Sequence, residues 1–123
     1  MRERAMKRIE RILEAQKLAE LARLGAIQAA AGRERDLAAR LRGRSRGHPA
    51  SGAVADMLLT CEWQQSAERR ARAGEDAARA IEEHAPEVRA ALARTIGRQS
   101  VISRLIKRQQ KAARQLAERR AEG

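Results

Sequence analysis

Small and apolar residues recur at alternating steps of four and three through the second half of the chain. The stripe holds 15 positions and no charged residue, although 35% of the chain is charged. About five charges would fall on it by chance. A period of 3.5 residues held over this length predicts one helix lying along another in a left-handed coiled coil. The stripe consists of Ala67, Ala71, Gly74, Ala78, Ile81, Ala85, Val88, Leu92, Thr95, Gln99, Ile102, Ile106, Gln109, Ala113 and Leu116.

The same pattern divides the chain into two predicted helices. Apolar residues recur at threes and fours from about residue 2 to 42, which predicts helix 1. Three Gly, one Pro and two Ser in residues 43–52 predict a loop, with Ser51 as the N-cap of the next helix. Helix 2 then runs from about 53 to 120. We therefore predict an all-α fold, an antiparallel two-helix coiled-coil hairpin, with residues 1–123 as a single domain.

Pro86 is the main irregularity of the predicted second helix. A proline inside a helix removes a hydrogen bond and costs about 3 kcal/mol. The stripe continues past Pro86 without a shift, so we predict a kink near 86, or a break into two collinear helices with Pro86 in the first turn of the second. A true turn at residues 83–86, giving a three-helix bundle, is the alternative.

The position of the loop also predicts a register. A hairpin centred near residues 47–49 pairs residues whose numbers sum to roughly 96. Gly25 would then face residues 71–74, where small side chains let the helices approach closely. Arg2 would lie near Arg94, and the last 25 or so residues would project as an unpaired basic helix.

Charge is distributed unevenly along the chain. The net charge is +5 in residues 1–42, +2 in 43–53, −4 in 54–88 and +8 in 89–123. With one Trp and no Phe or Tyr, packing depends on Ala, Leu and Ile, which suits closely spaced helices. Disorder is the competing interpretation of so polar a composition, but the regular stripe argues against it. A basic end and an acidic middle predict an acidic partner at the basic end.

Catalytic and metal-binding motifs are absent from the sequence. It has no phosphate-binding Gly-Lys-Ser/Thr loop and no Gly-x-Gly-x-x-Gly. His48 and His84 lack partners at metal-ligand spacing, and the single Cys61 cannot form an internal disulfide. No apolar run approaches the ~18 residues of a membrane span, and no signal peptide is visible. We expect a cytoplasmic protein that is not an enzyme and has no cofactor, metal or small-molecule substrate.

An apolar cluster follows the predicted loop. Met57, Leu58 and Trp63 lie there together with Val54 and Leu59. They predict a hydrophobic plug that closes the hairpin end, or a tip that binds a partner protein with Met57 or Trp63 as anchors, and the two can coexist on different faces of the helix.

The predicted second helix ends in a run of basic residues with an apolar face. The apolar face holds Val101, Ile102, Leu105, Ile106 and Leu116. A charged solvent-exposed exterior, nucleic-acid binding and insertion into a groove or ring of another protein all fit this pattern. No aromatic residue is available there for base stacking. Self-association of the coiled coil is a further possibility. The candidate partner-binding residues are Arg98, Arg104, Lys107, Arg108, Lys111 and Arg114.

Two segments carry a family resemblance. The opening segment from Arg8 to Glu20, RIERILEAQKLAE, and the late segment from Arg98 to Gln110, RQSVISRLIKRQQ, resemble the first and late helices of FliJ-type flagellar export proteins. YscO-type proteins of injectisomes belong to the same family. The layout is also similar, with a shorter first helix, a loop, a long second helix and a basic end. Members often have Tyr or Phe along the middle of the hairpin, and this chain has none.

The resemblance implies a function in a flagellar or type III protein export apparatus. Such proteins are coiled-coil stalks that insert into the hexameric export ATPase and link it to the cytoplasmic domain of the export gate, and they also handle export chaperones. The resemblance assigns the six basic residues to the ATPase side. It assigns Met57, Leu58 and Trp63 to the gate or the chaperones. The protein would lie in the cytoplasm, at the inner face of the membrane export apparatus, and reach the membrane through its partners only.

Overall fold

A computed structural model describes residues 2–46 and 54–123. Both ranges are helical: α1 spans Arg2–Arg46, α2 spans Val54–Glu82 and α3 spans Ala85–Glu122. No strand occurs within these two ranges. The prediction of an all-α fold is confirmed.

The first helix is longer than predicted. α1 continues through Gly43 to Arg46, so the first four residues of the predicted loop are helical. Arg44 and its basic neighbours favour a helix C-terminus, where positive charge interacts well with the helix dipole. Ser51, predicted to be the N-cap of the second helix, lies outside the described residues, as does the rest of the predicted loop.

The predicted second helix consists of two helices. α2 ends at Glu82 and α3 begins at Ala85, which puts Pro86 in the first turn of α3. The first backbone N–H groups of a helix have no intrahelical partner, so the missing N–H of proline costs little there. The backbone N–H of Glu83 donates to the Arg79 carbonyl at 3.1 Å and that of His84 to the Ile81 carbonyl at 3.3 Å. These bonds close the end of α2.

The chain forms two compact units, where the sequence analysis predicted one domain. The terminal unit comprises Met1–Arg23 and Glu87–Gly123, and it pairs the first half of α1 with α3. The central unit comprises Leu24–Pro86, and it pairs the second half of α1 with α2.

Helix pairing in the terminal unit is antiparallel. Gln110 of α3 donates to Glu3 of α1 at 3.3 Å, near the start of α1. Farther along α1, Glu14 accepts a hydrogen bond from Gln99 at 2.7 Å. Residue numbers rise along α1 as they fall along α3, which defines the direction. The buried side chains of this unit belong to Leu13, Val88, Thr95 and Ile106.

The central unit is also antiparallel, but charged residues bridge its helices. Arg35 of α1 forms an ion pair with Glu82 of α2, and Arg42 pairs with both Glu68 and Glu75. The buried side chains in the described part of this unit are all alanine: Ala31, Ala38, Ala67, Ala71, Ala78 and Ala85.

The uncharged stripe lies on the inward faces of α2 and α3. Each of its members from Ala67 to Gln109 is buried or partly buried, whereas Ala113 and Leu116 are exposed. The stripe therefore identifies the contact face correctly within each unit, and it extends only a few residues past the last contact with α1.

The predicted register was wrong. Arg2 was expected near Arg94, but its neighbour Glu3 contacts Gln110 instead. The unpaired end of α3 therefore begins after Gln110, not near residue 98. Only part of this shift comes from the four extra residues of α1. The rest arises because the end of α1 meets α2 about ten residues after α2 begins, where Gln64 donates to the Ser45 carbonyl at 3.3 Å.

The observed register also changes which residues meet where α1 and α2 approach most closely. A Cβ on Gly74 would lie 3.3 Å from the carbonyl oxygen of Glu34 and 3.6 Å from the Cβ of Ala38. Gly25, predicted to face this region, has no neighbouring atom within 4 Å of its Cβ position. Small residues do mark the close approach, but the partner of Gly74 on α1 lies about three turns further along than predicted.

Candidate partner-binding surface

Five of the six predicted basic residues form one face of α3. Arg104, Lys107, Arg108, Lys111 and Arg114 are all exposed and follow helical spacings of three and four. At 3.6 residues per turn, this row lies on the side of α3 opposite the buried stripe. We call these five residues the basic face.

The positive charge of the basic face is not neutralised by neighbouring acids. Within the described residues, none of its five members makes an ion pair, and Arg104 donates only to the Ser100 hydroxyl at 3.3 Å. The terminal unit holds 17 basic and 7 acidic residues, a net charge of +10. This surface is therefore suited to an acidic partner.

Three glutamates of α1 accept hydrogen bonds from neutral donors of α3. The hydrogen bond from Gln99, followed by one from Lys17, holds the pKa of Glu14 below its usual value. Glu20 accepts a hydrogen bond from the Thr95 hydroxyl at 3.0 Å, and its second carboxylate oxygen is buried without a partner among the described residues. The contact between α1 and α3 thus uses carboxylates without using the arginines and lysines of α3.

Arg98, the sixth predicted basic residue, lies apart from the basic face. It borders an open groove between α1 and α3 with a volume of about 640 Å³. Ile9 and Val101 contribute half-exposed apolar surface to it, 43% and 53% exposed respectively. We call this the α1/α3 groove; its lining residues are Ile9, Leu13, Arg94, Gly97, Arg98, Val101 and Ile102.

Sequence reasoning found only part of this groove. The apolar face on α3 was visible because Val101 and Leu105 stand beside the stripe rather than in it. The roles of Ile9 and Leu13 were missed, because the predicted register left α3 beyond about residue 98 without a partner on α1. Gly97 gave no recognisable signal in the sequence.

The apolar cluster predicted near the loop lies in the central unit, at the start of α2. Met57 is 50% exposed, Leu58 63% and Trp63 43%. These side chains form a half-exposed apolar patch at the start of α2. The hydrophobic plug and the partner-binding tip both stay predictions.

No group of residues suited to holding a metal ion occurs in the part of the chain that the structure describes. Cys61 is a free, exposed thiol, and His48 lies outside the described residues. None of the described helices combines the length and the apolar character required to cross a membrane.

No protein-family model, curated protein or solved structure matches this chain. The resemblance to FliJ-type proteins therefore rests on the two sequence segments and the helical layout.

Proposed function

We propose that this protein is a non-enzymatic stalk or adaptor of a flagellar or type III protein export apparatus. In this proposal its basic face binds the hexameric export ATPase, and the apolar cluster at the start of α2 contacts the cytoplasmic domain of the export gate or export chaperones. It works on the cytoplasmic side of the membrane, which it reaches through its partners.

The proposal includes an antiparallel coiled-coil hairpin with a kink near Pro86. Antiparallel pairing within each unit supports it, as does the uncharged stripe on the inward faces of α2 and α3. A helical hairpin of this kind is suited to transmitting position between two partners, because its backbone hydrogen bonds are satisfied locally along its length.

The basic face of α3 is the observation that carries the proposal. Its side chains are exposed and make no ion pair within the described residues, so they are available to a ring of carboxylates. Residues beyond Gln110 continue as exposed helix to Glu122 and could enter such a ring without unpairing α1.

Co-sedimentation with the export ATPase of the same host tests the proposal. We expect saturable binding of about one chain per hexamer, since a central stalk occupies one pore. A Lys107→Glu, Arg108→Glu, Lys111→Glu variant should bind about tenfold or more weakly, because it reverses the basic face.

The matched control is Arg40→Glu, Arg69→Glu, Arg70→Glu, which makes the same change in net charge on exposed residues of the central unit. Equal loss in both variants would reduce the effect to general electrostatics and contradict the proposal. Tight binding to duplex DNA would also contradict the proposal, if the affinity for DNA falls steeply with salt and the DNA displaces the ATPase. That result would favour a nucleic-acid-binding protein.

A further inference from the structure

We propose that the α1/α3 groove is a docking site for an acidic amphipathic helix from another protein. This inference depends on the shape and charge of the groove and not on the export assignment. It also concerns a different side of α3 from the basic face.

The groove has the shape that a third helix fills. On α3 its walls come from residues 94, 97, 98, 101 and 102, a run of about 12 Å at 1.5 Å per residue. Ile9 and Leu13 provide the opposite wall, one turn apart on α1. Two antiparallel helices with an apolar channel between them accept side chains spaced at i, i+3, i+4 and i+7 on an incoming helix.

Gly97 leaves the outer edge of this groove on α3 without a side chain. A Cβ added there would meet no atom within 4 Å, so the space above the α3 backbone at this point is empty. Leu105, one turn beyond Val101, is 42% exposed and extends the apolar surface toward the C-terminus of α3. An incoming helix can therefore bury about three turns of surface.

Charge at the edge of the groove selects the partner. Arg94 and Arg98 flank the apolar channel, and neither makes an ion pair within the described residues. They belong to a unit with a net charge of +10. Acidic residues beside the apolar row of an incoming helix would meet these two arginines.

The same charge argues against a second copy of this chain as the occupant. Two terminal units joined groove to groove would bring Arg94 and Arg98 of both copies together in a region of like charge, which opposes association. Nucleic acid is also a poor occupant, because the channel is aliphatic and has no aromatic residue for base stacking.

The test uses a fluorescein-labelled synthetic helix of about 14 residues, or four turns. It carries Leu at i, i+3, i+4 and i+7 and Glu on both sides of that row. Its twin carries Lys in place of Glu. We expect the acidic peptide to bind the full chain saturably by fluorescence anisotropy at physiological salt, and the basic twin to bind at least about tenfold more weakly.

Two pairs of variants place the site. Arg94→Glu, Arg98→Glu should lower the affinity by about tenfold or more, while Arg119→Glu, Arg120→Glu, with the same change in net charge, should change it by less than about threefold. Val101→Ser should weaken binding. Its control, Ile96→Ser, removes a similarly exposed apolar residue from another side of α3 and should not. Circular dichroism confirms that each variant remains helical.

Several results would overturn the proposal. The proposal fails if the acidic peptide does not bind, or if the basic twin binds equally well. It also fails if the charge reversals at Arg94 and Arg98 and at Arg119 and Arg120 lower the affinity for the peptide equally. Sedimentation showing that the chain dimerises at the concentrations used, with Val101→Ser breaking the dimer, would assign the groove to a second copy. Each of these results leaves ATPase binding through the basic face untouched, so the two proposals fail separately.

Discussion

The two units join their helices with different side chains. Among its described residues the central unit buries only alanine, and arginine–glutamate pairs bridge its two helices. The terminal unit buries Leu13, Val88 and Ile106, and its helices are bridged by amide and hydroxyl donors that reach carboxylates. The difference in net charge is equally marked, with +10 in the terminal unit and +1 in the central unit.

This contrast shows how one helical pattern can serve two purposes. Alanine lets backbones approach, as at Gly74, and puts arginine and glutamate within reach across the contact. The arginines that bridge the central unit therefore pair with glutamates of the same unit. In the terminal unit, Thr95, Gln99 and Gln110 of α3 donate to glutamates of α1, and the basic residues of α3 make no ion pair within the described residues. The central unit thus uses Arg35 and Arg42 in contacts between its own helices, whereas the basic residues of α3 in the terminal unit are exposed.

The largest expected effect tests the alanine contact of the central unit. Ala71 is fully buried, so Ala71→Leu adds three carbon atoms where the helices have no room for them. Overpacking of this kind costs about 1–3 kcal/mol. We expect the free energy of unfolding to fall by this amount in urea denaturation, and hydrogen exchange of α2 to accelerate.

The control for this substitution is Ala73→Leu, which makes the same chemical change on the exposed side of α2. It should alter the free energy of unfolding by less than about 0.5 kcal/mol. If Ala71→Leu were equally harmless, the helices of the central unit would not be closely packed by alanine, and the contrast between the units would disappear.

The next effect concerns the neutral donors of the terminal unit. Thr95 is 2% exposed, and its hydroxyl donates to Glu20. Thr95→Val keeps the shape and removes the donor, so a partly buried carboxylate loses its hydrogen bond. We expect a loss of about 1–3 kcal/mol in the free energy of unfolding, measured by urea denaturation.

Adding Glu20→Leu to Thr95→Val distinguishes hydrogen bonding from packing. Replacing both partners with apolar groups removes the unsatisfied acceptor, so the double variant should recover most of the lost stability. A double variant as unstable as the sum of the two single ones would mean that the hydrogen bond does not bridge α1 and α3 in solution.

Substitutions at two glycines are expected to have a smaller effect on stability, and they compare the two units directly. Gly97→Ala, at the outer edge of the α1/α3 groove, should stabilise α3 by about 0.8–1 kcal/mol through helix propensity alone. Gly74→Ala has the same intrinsic gain, but its Cβ would press on the Glu34 carbonyl. Its net effect in thermal unfolding should therefore be smaller, or of opposite sign. Equal stabilisation by both would show that the helices are not in close contact at Gly74.

These comparisons also show what the sequence could predict. The stripe from Ala67 to Gln109 marked the inward face of α2 and α3, because apolar and small residues repeat along the side of a helix that is shielded from water. Pro86 marked the position at which α3 begins, since proline fits the first turn of a helix and not its interior. Both signals are local to one helix.

Register could not be predicted in the same way, because it depends on where α1 ends. Gly43 indicated a loop, yet the helix continued to Arg46, and the end of α1 meets α2 only near Gln64, about ten residues after α2 begins. These two differences together shifted every cross-helix pair. The α1/α3 groove was incompletely predicted for that reason, as its two walls come from residues far apart in the sequence. Arg98 was identified as a partner-binding residue, but only the paired structure separates it from the basic face.

The smallest expected effect concerns the charged bridges of the central unit. The Nε atom of Arg42 donates to Glu68 at 3.1 Å, and a second guanidinium nitrogen pairs with Glu75. The hydrogen bonds from Arg42 hold the pKa of both carboxyl groups below the ordinary value of 4.5. These groups are solvent-accessible, so water and salt screen the interaction and the gain in stability is small.

The ion pairs of Arg42 can be recognised by their pH dependence, although their contribution to stability is small. A carboxyl group whose pKa is lowered by folding stabilises the folded state above its unfolded pKa, and this contribution disappears as the pH falls through the folded value. Arg42→Met should therefore lower the melting temperature slightly at pH 7. The difference from the parent should begin to shrink below about pH 4.5 and vanish once the pH is below the lowered pKa values of the folded state, or in molar salt. Arg40→Met, which removes an exposed arginine of α1 that makes no ion pair among the described residues, should show no such convergence. If Arg42→Met leaves the melting temperature unchanged at pH 7 and low salt, the ion pairs do not hold the central unit together, and its stability must come from the alanine contact alone.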